Sequence, residues 1–250
     1  MKTTGLLIRF FVCLVALSYT GITINAQSIK TVPLSSTITT DLNQDGSERL
    51  EFSVDVDWPI GSYGVEATKK MRRAIIDNLS STLFEMFGVP NTEIQTSDLP
   101  SVIYIYNHQL VQEFKNGGGD TVCLGASIGH SYKEYVYFST HVSYFLPHFH
   151  AHIQYMVLNS KTGDVVTLDD LFRPEYQVAL QNILDQQKVY LWQNDEEEVE
   201  RDGYFSEHYT LTDNFYIDAQ GITFVYNGNG HTNTLTTISI PWHKISHLLK

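Results

Sequence analysis

Between Leu50 and Phe87 the hydrophobic period changes from two to 3.6, and this change constrains the fold more than any other stretch of the chain. Leu50, Phe52, Val54 and Val56 alternate with Glu51, Ser53 and Asp55, which puts four apolar side chains on one face of a half-buried strand. After Trp58-Pro59 and a Gly-containing loop, Met71, Ile75, Ile76, Leu79, Leu83, Phe84 and Phe87 recur at three- and four-residue steps. Lys69, Lys70, Arg72 and Arg73 fall mostly off that stripe, so the spacing predicts an amphipathic helix over 65–87. Gly88 stands where a helix C-cap belongs.

Further strands are expected at Val102 to Tyr106, Cys123 to Ser127 and Tyr135 to Leu146, with Phe149 to Asn159 returning as partner beyond Pro147. Asn159 to Gly163 reads as a hairpin turn and Val165 to Leu168 as a short strand. Pro174 suits the first position of a second helix running to about Trp192, with Tyr176, Leu180, Ile183, Leu184 and Leu191 at helical spacing. Phe215 to Tyr226 gives two strands around a Gly turn, Leu235 to Ile240 a third, and Pro241 opens a closing helix. Residues 27–48, rich in Ser, Thr, Asn and Gln, read as a leader or early edge strand. Helices that do not alternate regularly with strands indicate an α+β fold, with antiparallel sheets packed against one long helix in each half. The expected layout is 1–26 signal peptide, 27–49 leader, 50–158 N-terminal α+β half and 159–250 C-terminal half.

Lys2 and Arg9 precede the apolar run Phe10 to Leu17, and a polar stretch ends at Ala26. That is the layout of a secretory signal peptide cleaved after Ala26, with an apolar core too short for the roughly 20 residues a spanning helix needs. A periplasmic or secreted protein with no membrane span after cleavage is therefore expected. Losing Lys2 and Arg9 takes the net charge from −12 to −14, which disfavours nucleic acid and anionic membranes and favours cationic partners. Of the two cysteines only Cys123 lies beyond Ala26, so no intramolecular disulfide is expected, and its apolar neighbours suggest a buried small hydrophobe.

Few residues point to chemistry. His148, His150 and His152 alternate on one strand face, but the outer two are about 13 Å apart at the usual rise, too far to share a metal without a sharp bend. A metal-dependent hydrolase or deacetylase-like enzyme using them is the alternative reading; no carboxylate lies between Tyr135 and Asn159 to act as base. Asp169 and Asp170 fit as N-terminal charges of a short helix into Phe172. Gly125-Ala-Ser-Ile-Gly129 matches the string of a hydrolase nucleophile elbow, yet a turn and a strand follow it where the elbow needs a helix. Gly117-Gly118-Gly119 lacks the Gly-Lys-Ser/Thr continuation of a phosphate loop. No catalytic set, metal site or cofactor is expected.

Thr162-Gly163, Leu168 to Phe172, Phe215, Gly221 to Tyr226 and Ile238 to Leu249 follow an order that resembles the RsiV-like extracellular domain, found in bacterial anti-sigma factors and beside peptidoglycan deacetylase domains. The resemblance names a scaffold. It implies an exported, non-enzymatic binding module of the envelope, without the anti-sigma or deacetylase segment, whose partner is a cationic protein such as lysozyme or a cell-wall component such as peptidoglycan. The expected binding residues are Asn227, Asn229 and His231 of a polar loop, Asp120 of the Gly117 to Asp120 loop, and Glu196, Glu197 and Glu198 of the acidic run.

Overall fold

The computed structural model describes residues 29–61, 64–88, 99–114, 120–145, 149–194, 209–227 and 235–250. Their strands form two sheets. The larger has six strands in sequence order: β1 (Thr31–Asp41), β2 (Arg49–Pro59), β3 (Asp120–Tyr132), β4 (Tyr135–Phe145), β5 (Phe149–Asn159) and β6 (Val165–Val166). All neighbours are antiparallel except β2 and β3, which run parallel because α1 (Val65–Phe87) and α2 (Leu99–Phe114) intervene. The smaller sheet is an antiparallel β7 (Phe215–Ile217), β8 (Gly221–Tyr226) and β9 (Thr236–Pro241). The fold is α+β.

Period-two patterning gives the large sheet one apolar face. Phe52, Val54 and Val56 of β2 pair with Val122, Leu124 and Ala126 of β3, and Val136, Phe138 and Val142 continue the buried rows on β4. Helix α1 lays Met71, Ile75, Ile76, Leu79 and Leu83 over this face, and α2 adds Val102, Tyr106 and Leu110. Burying each such side chain contributes roughly 1.5–3 kcal/mol. Gly88 ends α1 in the left-handed conformation at φ 66°, its N–H donating to Phe84 O at 2.8 Å.

The strand expected at Val102 to Tyr106 is part of helix α2. Five β-branched and aromatic residues look like a strand in isolation, but Val102, Tyr106 and Leu110 are spaced by four, and their burial against the sheet decides the matter. Pro174 likewise precedes the second long helix: α4 (Tyr176–Asn194) starts after Glu175, whose φ of 67° breaks the helical path.

A second core belongs to the C-terminal elements. Leu180 and Leu184 of α4, Phe215 of β7, Phe224 of β8 and Ile240 of β9 are all buried, with α3 (Leu168–Leu171) and α5 (Trp242–Ile245) closing the cluster through Leu171 and Ile245. Thr167 caps α3: its N–H and hydroxyl both donate to Asp170 Oδ2 at 2.8 Å, which holds the Asp170 carboxyl below its ordinary pKa. The turn before β6 docks on α1, where Gly163 (φ 77°) lies so near that a Cβ would sit 2.2 Å from Ala67 O. Lys70 Nζ meets Asp164 Oδ1 beside it at 2.6 Å. Among the described residues no helix is long and apolar enough to cross a membrane.

Candidate binding surface

Opposite the helices, the large sheet keeps an open polar face. Because alternate residues are buried on β2 to β4 and half-buried on β1, the intervening ones turn outward: Ser35, Thr37 and Thr39, then Glu51, Ser53, Asp55 and Asp57, then Thr121, Cys123, Gly125 and Ser127, then Tyr137, Ser139 and His141. Glu51, Asp55, Ser127 and His141 are exposed. Ser35 Oγ donates to Asp55 Oδ1 at 2.9 Å, and the Ile128 N–H donates to Asp57 Oδ2 at 3.0 Å. Arg49 lies on the same side of β2 but is paired with Asp41 at 2.8 Å, so Glu51, Asp55 and Asp57 leave the face net acidic.

Strand register draws the outward groups into a row. Ser35 pairs with Asp55, Asp55 with Gly125, and Gly125 with His141. The His141 ring covers Gly125 so closely that a Cβ there would lie 2.1 Å from Cε1. Gly129 is covered in the same way by Tyr137, whose Cε2 would be 1.9 Å from a Cβ. The Gly125-Ala-Ser-Ile-Gly129 string is therefore a pair of clearings for two rings four residues apart on the antiparallel neighbour. Ser127 and Ser139 face each other between the rings, and neither hydroxyl has a protein partner among the described residues. No nucleophile–base pair results.

Tyr137 also starts an aromatic wall. Its ring centroid lies 5.0 Å from Tyr216 of β7 and 5.8 Å from Tyr155 of β5, and Tyr155 and Tyr216 are 5.0 Å apart. Burial, then the neighbouring Tyr216 and Tyr137 hydroxyls, push Tyr155 up to about 12. The small sheet joins the large one here, at Tyr137 and Tyr155, leaving the outward side of β1 to β3 and the His141 end of β4 uncovered.

Two asparagines complete that joint. β6 pairs only with Val157 and Leu158, so the earlier part of β5 lacks a strand partner on that side. Asn214 accepts from the Tyr155 N–H at 2.8 Å and donates to Ile153 O at 2.9 Å. Asn227 accepts from the Ile153 N–H at 2.8 Å and donates to the same carbonyl at 2.9 Å. Each amide thus replaces the donor and acceptor that a neighbouring strand would offer.

The other expected residues separate. His152 and His150 lie on the helix side of β5, paired with Val142 and Tyr144. His150 stacks on Tyr144 at 4.7 Å, while His152 Nε2 lies 3.2 Å from Glu85 Oε2 of α1 and 3.3 Å from Asn227 Nδ2. Burial lowers the His152 pKa, with Glu85 and Gln154 opposing. Among the described residues no three His, Cys, Asp or Glu side chains could hold a metal ion. Asp120 is buried at the start of β3, opposite Leu50 and on the helix side, its Oδ1 accepting from the Thr121 N–H. Cys123 is half-buried on the outward face, where a fully buried thiol was expected. His148, Asn229, His231, Glu196, Glu197, Glu198, the Gly117 to Gly119 run and the signal peptide lie outside the described residues.

Sequence reasoning missed the outward row and the Asn214 bridge. The one available signal was the matched spacing of Gly125 and Gly129 with Tyr137 and His141.

No curated protein matches the chain. Residues 169–228 match the family DUF3298, described as a protein of unknown function. A solved member of that family from Bacteroides fragilis NCTC 9343 superposes with a TM-score of 0.66 at 18% identity, over 89% of this chain and 96% of that one. A DUF3298 family protein from Pseudomonas aeruginosa PAO1 gives 0.67 at 14% identity, over 89% and 95%. Residues 169–228 thus match the DUF3298 family model, within a chain that has the fold of two solved members of that family, consistent with an RsiV-like domain of unknown function.

Proposed function

We propose that the protein is an exported, non-enzymatic binding module of the bacterial envelope, periplasmic or secreted, and that the open face of β1 to β4 is its ligand surface. The observation that carries this reading is the exposed pair Glu51 and Asp55 on a face whose one basic strand residue among those described, Arg49, is already paired with Asp41, in a chain of net charge −12. Such a face attracts a cationic protein, and lysozyme is the partner that the resemblance suggests. Thr121 and Ser127 are small and exposed, so a partner can approach the sheet beside the His141 ring.

Calorimetric titration of the full chain with lysozyme tests the reading. Micromolar binding that weakens with added salt and with Asp55→Lys supports it. Absence of binding at low salt, or binding indifferent to Asp55→Lys and to salt, contradicts it.

A further inference from the structure

We propose that the free edge of β1 is a self-association surface, pairing antiparallel with β1 of a second copy of the chain so that two six-stranded sheets run on as one. The Ile60 N–H donates to Lys30 O and the Leu42 N–H to Glu48 O, both at 2.9 Å, which fixes the ladder with β2 at its two ends. Two-residue alternation between them turns the backbone groups of even-numbered residues toward β2 and those of Thr31, Ser35, Thr37 and Thr39 away from the sheet. Pro33 belongs to the outward set, where the β1–β2 ladder does not miss its N–H. Among the described residues no strand takes up this outer side, whereas the β5 edge is completed by β6, Asn214 and Asn227. Edge strands are usually guarded by charge, a bulge or a covering element. From Thr31 to Thr40 β1 has no charged residue, and its register with β2 is unbroken.

The side chains favour a second copy over a foreign strand. Helix α2 packs on β2 and touches β1 at Thr40 through Asn107 Nδ2 at 3.4 Å, and Val32, Leu34 and Ile38 are only half-buried on the helix side. Pairing about a two-fold axis at Ser36 sets Leu34 beside Ile38 of the second copy, and Ile38 beside its Leu34, at positions without backbone bonds, where facing side chains come closest. Ser35 and Thr37 then exchange backbone hydrogen bonds with Thr37 and Ser35 across the axis. Pro33, opposite Thr39, offers no donor, so the firm ladder is short and the contact belongs with small, transient interfaces. The acidic rows do not oppose it, because the outward residues Ser35, Thr37 and Thr39 are neutral. Asp55 of one copy stands three strand spacings from Asp55 of the other, about 14 Å, beyond the roughly 8 Å screening length at physiological salt.

Sedimentation equilibrium of the full chain from about 1 µM to 1 mM tests the proposal, independently of any ligand. A reversible monomer–dimer equilibrium is expected, tighter in high salt because both copies are acidic, the opposite of the salt response expected with lysozyme. Thr37→Pro removes an outward N–H that β2 does not use and is expected to weaken the dimer about tenfold or more, with circular dichroism melting as the check on folding. Ser36→Cys places two thiols across the axis with Cα atoms about 4.5 Å apart and is expected to give a disulfide-linked dimer under mild oxidation. Thr39→Cys, about 20 Å from its copy, is not, and wild type with Cys13 and Cys123 is the control. The two cysteine variants decide the matter should Thr37→Pro fail to fold. A monomer at every concentration overturns the proposal and leaves the edge to an extended segment of another protein. A dimer untouched by Thr37→Pro, or cross-linking at Thr39→Cys in place of Ser36→Cys, overturns the assignment to β1.

Discussion

His141 covers Gly125: the imidazole occupies the space where any larger residue on β3 would place its Cβ, 2.1 Å from ring atom Cε1. The glycine is held by a ring from the next strand, and the two residues explain one another. That ring is the free end of an exposed side chain, so Gly125→Ala is expected to swing it aside at a cost below about 1 kcal/mol. The His141 ring resonances should move in an NMR spectrum while the melting temperature barely changes.

Gly163 behaves oppositely. A Cβ there meets the backbone oxygen of Ala67 at 2.2 Å, and the residue holds φ 77°. Neither a helix backbone nor a left-handed turn can yield cheaply, so Gly163→Ala should destabilise the fold by roughly 2 kcal/mol or more. Chemical denaturation of both glycine variants side by side checks the contrast.

The asparagine bridges should govern how firmly the two sheets hold together. Asn214→Ala removes the acceptor from Tyr155 N–H, and Asn227→Ala removes the acceptor from Ile153 N–H, while Ile153 O keeps one of its two amide donors in either variant. Each substitution should cost about 1–3 kcal/mol, because partly buried backbone groups are left unpaired. Hydrogen exchange at Ile153 should accelerate in Asn227→Ala and at Tyr155 in Asn214→Ala. Unchanged exchange would mean that these amides are not structural.

His152 should make stability depend on pH. Burial lowers its folded pKa below 6.5, so the unfolded chain binds the proton more readily. Its contribution is fully present above 6.5 and is lost as pH falls through the lower, folded value. Glu85 opposes the shift, so Glu85→Gln should lower the folded pKa further and move the loss to more acid pH. Titration of the His152 ring protons by NMR checks both statements; a wild-type value above 6.5 would show that the Glu85 contact outweighs burial.

The long-period elements were legible in the sequence. Helix α1 was readable to its ends because six of the seven apolar residues fix its face, Phe84 being exposed instead, and Gly88 fixes its stop. Val102 to Tyr106 was misread because a five-residue apolar run fits a strand as well as a helix, and only packing against β2 separates them. The row from Ser35 to His141 draws on four strands, and its parallel step from Asp55 to Gly125 spans two helices. Register across such distances follows from three-dimensional packing, so no local pattern announces it. Asn227 was singled out as a polar loop residue, and its amide proves to be engaged with β5, since side-chain bridging leaves no periodic trace.

Mapping backbone amide shifts during titration with lysozyme tests the central claim most directly, because it locates the ligand surface as well as detecting binding. The account predicts saturable changes at Glu51 to Asp57, Thr121 to Ser127 and Ser139 to His141, with α1 and α2 silent. Changes confined to the helix side, or none at saturating lysozyme, would contradict it.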